Sequence, residues 1–271
     1  MHRRQFLATS AAAATTLLAL NPKLRAADES TGRLFYELRR YHFASPEKQK
    51  AYDQFLKDVA VPAYNRAGVE PVGVFQILAK DNAGARSNIK EDSTDLIVFL
   101  PHKNFESVVT LENRLLADKK YQSDGKAILT ETKKTDLAYT RYESTLLLAM
   151  EGAPRIELPP KNPDRVFELR TYESPNNERH LNKLSMFNAG EFEVFKKANM
   201  PGVFFGGALV GEKMPQLTYM VAHENRQAVD KNWAVFRNVP EWKKLSADPQ
   251  YKNNVSNITN PFIRPTEASQ I

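Results

Sequence analysis

The sequence predicts an α+β chain of two tandem ferredoxin-like (β-α-β-β-α-β) domains packed sheet to sheet as a barrel-like unit. Three observations carry that prediction. Phe35-Tyr36-Glu37-Leu38-Arg39-Arg40-Tyr41 returns as Val166-Phe167-Glu168-Leu169-Arg170-Thr171-Tyr172 at an offset of 131, sharing Glu-Leu-Arg and the closing Tyr. Leu100-Pro101-His102-Lys103-Asn104 and Val221-Ala222-His223-Glu224-Asn225 bring a His and an Asn back in register. Hydrophobic periodicity then reads the same order of elements in both copies, which is the signature of an internal repeat.

In the first copy, Leu34 to Tyr41 alternates as a strand, with Tyr36 and Leu38 on one face and Glu37, Arg39 and Tyr41 on the other. Ser45-Pro46 suits an N-cap and first helical position. Ala51, Tyr52, Phe55, Leu56, Val59, Ala63 and Tyr64 then recur at helical spacing, with a kink expected at Pro62 and an end at Gly68. Val72 to Leu78 reads as a strand, Asp81 to Asp95 as a polar loop, and Asp95 to Leu100 as a strand closed by Pro101. A helix from about Asn104 to Leu116 and a strand over Tyr139 to Met150 complete the copy.

Glu157 to Asp164 is a stiff, proline-rich linker. The second copy repeats the first strand over Arg165 to Tyr172. Leu181, Leu184, Met186 or Phe187, Phe192, Phe195 and Ala198 form its helix, with Gly190 a weak point inside. Val203 to Val210 and Leu217 to Val221 are the next strands. Ala228, Val229, Trp233 and Phe236 stripe the second helix, which Pro240 should end, and Ser256 to Arg264 closes the copy. The domains expected are therefore 1–26, 27–156, a linker over 157–164, and 165–271.

The first 26 residues are an export signal of the twin-arginine type. Arg3-Arg4-Gln5-Phe6-Leu7 precedes an uncharged run from Ala8 to Leu20, and Ala26 offers a small residue at the cut. Thirteen apolar residues fall short of the roughly 20 that span a membrane. Cleavage near Ala26 would deliver a periplasmic or secreted protein. It would also remove Arg3, Arg4, Lys23 and Arg25, taking the formal net charge from +6 to +2. A near-neutral body gives no electrostatic case for nucleic acid, and no later segment is long and apolar enough for membrane insertion. The absence of cysteine excludes disulfides, thiol catalysis and Cys-ligated metals.

A four-stranded sheet with both helices on one face must bury its other face, and the second copy is the obvious partner. If Tyr36/Leu38 and Phe167/Leu169 face the helices, Glu37, Arg39, Tyr41, Glu168, Arg170 and Tyr172 face the inter-sheet space. There they either pair internally or line a ligand-binding pocket, with Arg39 and Arg170 holding an anionic or carbonyl ligand. The opposite register would put them elsewhere. His42, His102, His180 and His223 show no metal-ligand spacing, and His102 and His223 are expected at the surface as starts of loops. No catalytic residue and no metal site is assigned.

The second copy resembles the NIPSNAP family through Phe167 to Tyr172, Phe204-Phe205-Gly206, Leu217-Thr218-Tyr219-Met220, Trp233…Phe236…Pro240-Glu241-Trp242…Leu245, and Pro261-Phe262-Ile263-Arg264-Pro265…Ser269-Gln270-Ile271. The first copy is similar to a diverged member that keeps the opening strand and Pro62…Gly68. Ala268 stands where the family usually has Tyr. The resemblance implies a dimeric α/β-barrel fold, no predicted cofactor, and a small-molecule or protein partner, with a homodimer compatible. It also leaves an alternative open, a cofactor-free or haem-dependent oxygenase or isomerase of the barrel superfamily.

Overall fold

The computed structural model describes residues 32–271. The expected export signal lies outside them. The first repeat contains β1 (Phe35–His42), α1 (Pro46–Phe55), a π-helical turn over Leu56–Ala60, α2 (Val61–Arg66), β2 (Gly73–Gln76) and a short α3 (Ala79–Asn82). It continues with β3 (Asp95–His102), α4 (Phe105–Ala117), α5 (Lys119–Asp124), α6 (Lys126–Leu129) and β4 (Arg141–Ala149). The second repeat contains β5 (Val166–Glu173), α7 (Asn177–Met186), a π-helical turn over Phe187–Glu191, α8 (Phe192–Lys197), β6 (Gly202–Val210) and β7 (Gln216–His223). Then come α9 (Ala228–Asn238), α10 (Pro240–Ala247), β8 (Asn257–Thr259) and β9 (Phe262–Pro265).

The duplication extends to local detail. Ser45 and Asn176 cap α1 and α7, accepting from the backbone N–H of Lys48 and Arg179. Asn104 and Asn225 do the same for Ser107 and Ala228. The two π-helical turns also stand 131 residues apart. In the first copy the wide turn comes just before Pro62 and lets the helix pass the residue that lacks an N–H donor. In the second, Gly190 sits inside the turn at φ 133° and ψ 0°, a conformation closed to residues with a side chain. An added Cβ would meet nothing within 4 Å. Gly190→Ala should therefore lose about 1–3 kcal/mol through the backbone alone, read as a lower urea midpoint.

Each repeat arranges its strands with the fourth and third flanking the first, and the two sheets join at their edges. β4 pairs with β6 through Leu148↔Gly207 and Ala149↔Gly206, and β2 pairs with β9 through Gln76↔Arg264. Because β5 also pairs with β7, the strands β1-β3-β2-β9-β5-β7-β6-β4 form a closed barrel. β8 and β9 lie along the same side of β5, interrupted at Asn260-Pro261. α9 stops just before Pro240, as expected, and Pro240 then opens the short α10 at its first position, where a missing N–H costs nothing.

The faces of the strands reverse the expected assignment. Tyr36, Phe75, Ile97, Phe99, Leu147, Phe167, Leu169, Phe204, Met220 and Ile263 fill the barrel interior. Tyr41 joins the core beneath α1, α2 and α4, while Tyr172 joins the core beneath α7 to α10. Tyr36 contacts Phe99 and, across the barrel, Phe204, and Phe99 stacks on Phe204 at 4.6 Å between centroids. Glu37, Arg39, Tyr41, Glu168, Arg170 and Tyr172 thus point away from the inter-sheet space, towards the helices. A one-residue change of register exchanges the two faces of a strand.

Candidate functional site

Two places could carry chemistry: the buried ion pairs under the helices and the open end of the barrel. In the first repeat, Arg39 Nε and Nη2 donate to Glu37 at 2.7 and 3.0 Å, Ser144 Oγ donates to Glu37 at 2.8 Å, and His102 Nε2 stands 3.5 Å away. Arg39 also reaches Glu112 of α4 at 2.8 Å. In the second repeat, Glu168 is met by Arg170 Nη1, by Trp233 Nε1 at 2.8 Å, by Asn260 Nδ2 at 2.7 Å and by His223 Nε2 at 3.4 Å. Arg170 lies over the Trp233 ring at 4.5 Å and donates to the Tyr172 hydroxyl, itself 2.8 Å from that of Tyr219.

The pairs correspond member by member. Ser144 comes from the fourth strand and Asn260 from the break between β8 and β9, His102 and His223 from the ends of the third strands. Glu112 and Trp233, both 10 residues after their histidine, come from the second helices. Burial works to raise both carboxyls, but their donors win. His102, Arg39 and Ser144 hold Glu37 at about 2, and His223, Arg170 and Asn260 hold Glu168 at about 2. Neither carboxylate faces a cavity. The glutamates and arginines are paired ties between sheet and helices, as the internal-pairing reading of the sequence expects. His102 and His223 are the clearest correction. They are buried strand residues facing the glutamates, not surface groups.

The inter-sheet pocket exists, one residue away from the expected set. It is a cavity of about 150 Å³ at the C-terminal ends of β1 and β5. Leu38, Ile77, Ile97 and Leu169 form its apolar wall, and Arg40, Glu143, Thr145, Thr171, Gln216 and Thr218 its polar rim. Thr171 Oγ1 and Thr218 Oγ1 are 2.9 Å apart, and Thr218 donates to Gln216 at 2.8 Å. Glu212 and Lys213 also stand at the rim, and the other rim charges are answered. Arg40 pairs with Asp95, whose other oxygen is 2.9 Å from His42 Nδ1, and His42 Nε2 lies 3.2 Å from Glu143. Of the six residues expected there, Arg39 alone borders the cavity. Arg40 and Thr171, equivalent positions of the repeat, were the sequence signal for its lining.

A closed barrel built from two fused β-α-β-β-α-β halves defines the fold: a tandem α/β barrel. Residues 167–270, most of the second repeat, match the NIPSNAP family model. No curated protein matches the chain. The structure is similar to that of a Lactobacillus acidophilus protein named only provisionally as a monooxygenase, at 10% identity and a TM-score of 0.57, over 86% of this chain and 94% of that one. A like-named Fusobacterium nucleatum protein is similar at 10% identity and 0.57, over 86% and 93%. An uncharacterized NIPSNAP-like domain protein of Burkholderia xenovorans is similar at 16% identity and 0.33, over 39% of this chain and 88% of that one. At such identities the likeness shows fold alone.

Proposed function

We propose that this is an exported binding protein that takes a small, uncharged polar molecule into the open end of its barrel, without chemistry. The observation that supports the reading is the asymmetry of the barrel interior. Aromatic rings close it around Tyr36, Phe99 and Phe204, whereas threonines and Gln216 line an apolar-walled cavity towards the other end. Ligand sites characteristically combine such a wall with a few convergent polar groups. Arg40 is paired with Asp95, and Glu212 and Lys213 add one charge of each sign to the rim, so no single-signed field there calls for a charged ligand.

Native mass spectrometry of the mature protein from its own periplasm, with an absorbance spectrum of the same sample, tests this. The expected result is one small bound mass with no visible chromophore, lost in Leu38→Trp, which fills the cavity from its wall. A bound mass that survives Leu38→Trp, or a clean apo mass, would overturn the mouth as the site. A visible chromophore would instead favour an oxygenase, the activity that the names of the two fold neighbours suggest. The same spectrum reports monomer or homodimer.

A further inference from the structure

The duplication allows the same place to be compared in the two halves of one molecule. Beside β2 in the first repeat the surface is polar and filled. Gln76 lies opposite Arg264, which binds Asp81 through two nitrogens. On α1, Gln49 donates its amide to the carbonyls of Ser93 and Asp95, and Asp53 accepts from Thr266. At the offset of 131, every one of these positions changes character in the second repeat. Gly207 replaces Gln76, His180 replaces Gln49, Leu181 replaces Lys50, and Leu184 replaces Asp53. Opposite Gly207 stands Leu148 where Arg264 stood.

The result is a groove of about 690 Å³ on the outer face of the β4–β6 seam, alongside α7. Leu148, Met150, Leu184 and Leu209 line it without an aromatic ring, and Leu181, expected in the core, stands 63% exposed at its edge. Gly207 keeps it open, since a Cβ there would approach Leu184 to 3.0 Å and His180 Nε2 to 3.6 Å. His180 itself is 7% exposed, and its Nδ1 is buried with no hydrogen-bond partner. Burial lowers its pKa, so the imidazole is neutral at neutral pH. An unpartnered buried polar atom normally signals a missing partner.

We infer that this groove is a second ligand site, separate from the barrel mouth, which takes an uncharged aliphatic molecule carrying a hydroxyl, with His180 as its hydrogen-bonding anchor. The aliphatic walls match a saturated chain, and a neutral imidazole pairs with a hydroxyl at no charge-desolvation cost. Arg33 and Glu151, which also line the groove, pair with each other at 3.7 Å, so a carboxylate or an ammonium would have to break that pair to gain a counter-ion.

The test is a titration of isotope-labelled mature protein with 1-octanol at pH 7.5, followed by NMR, beside octanoate and octylammonium. Saturable shifts are expected at the His180 ring nitrogens, Gly207 and Leu184, with both charged analogues at least 10-fold weaker. Affinity should fall at least 10-fold in His180→Phe. It should also fall in Leu181→Asp, an exposed position that leaves folding intact. Leu38→Trp should leave octanol binding unchanged, which separates this site from the barrel mouth. The inference is overturned by the absence of saturable shifts up to the solubility of octanol, by equal binding of octanoate, or by unaltered affinity in both groove variants.

Discussion

Glu168→Ala should destabilise the protein by about 3–5 kcal/mol, the range for removing one partner of a buried pair, whereas Glu37→Ala should cost clearly less. The difference lies in what each arginine keeps. Without Glu37, Arg39 still holds Glu112 at 2.8 Å, on a side chain that reaches solvent. Without Glu168, Arg170 retains the Tyr172 hydroxyl and the Trp233 face but no carboxylate. Trp233 Nε1 and Asn260 Nδ2 lose their acceptor at the same time. Two unsatisfied buried donors add a penalty that a lone ion pair would not. Urea titrations of the two variants at pH 7 check the order. Equal midpoints would mean that the donors around Glu168 contribute nothing beyond the arginine.

The same residues show where the sequence was informative and where it stopped. The repeat, the cap at Ser45, the weak point at Gly190 and the pairing of each Glu with its Arg could all be read, because they depend on neighbours close in the chain. Which face of β1 looks into the barrel could not. β3 reads Leu96-Ile97-Val98-Phe99-Leu100, apolar on both sides, because helices cover one face and the opposite sheet the other. Strands buried on both faces lose the polar–apolar contrast that fixes register. The charges of β1 and β5 seemed to need the roomier side. The side chains that satisfy them lie 73, 107, 65 and 92 residues away: Glu112 from Arg39, Ser144 from Glu37, and Trp233 and Asn260 from Glu168. No local pattern announces such partners. His102 and His223 were misplaced for a related reason, since β3 and β7 run to the histidines and draw them under the helices. The barrel-mouth residues Arg40 and Thr171 then follow directly, one position from the pair that the repeat made conspicuous.

Acid should unfold the protein steeply below about pH 4.5, through the two duplicated carboxylates together. In the folded protein Glu37 and Glu168 are held at about 2, while an unfolded glutamate titrates near 4.3. A depressed folded pKa means that the unfolded chain binds the proton first. The stabilisation is therefore complete above the unfolded value and is lost as pH falls from there through about 2. A gap of roughly two units corresponds to about 3 kcal/mol for each carboxylate, so the pair can remove about half of an ordinary domain stability of 5–15 kcal/mol. Glu37→Gln and Glu168→Gln keep much of the shape and remove the titration. Each should be less stable than the parent at pH 7 and show a shallower loss between pH 4.5 and 2 in a series of urea midpoints. Parallel pH profiles for parent and variants would mean that the acid response belongs to other groups. The two buried ties would then be matters of packing rather than of charge.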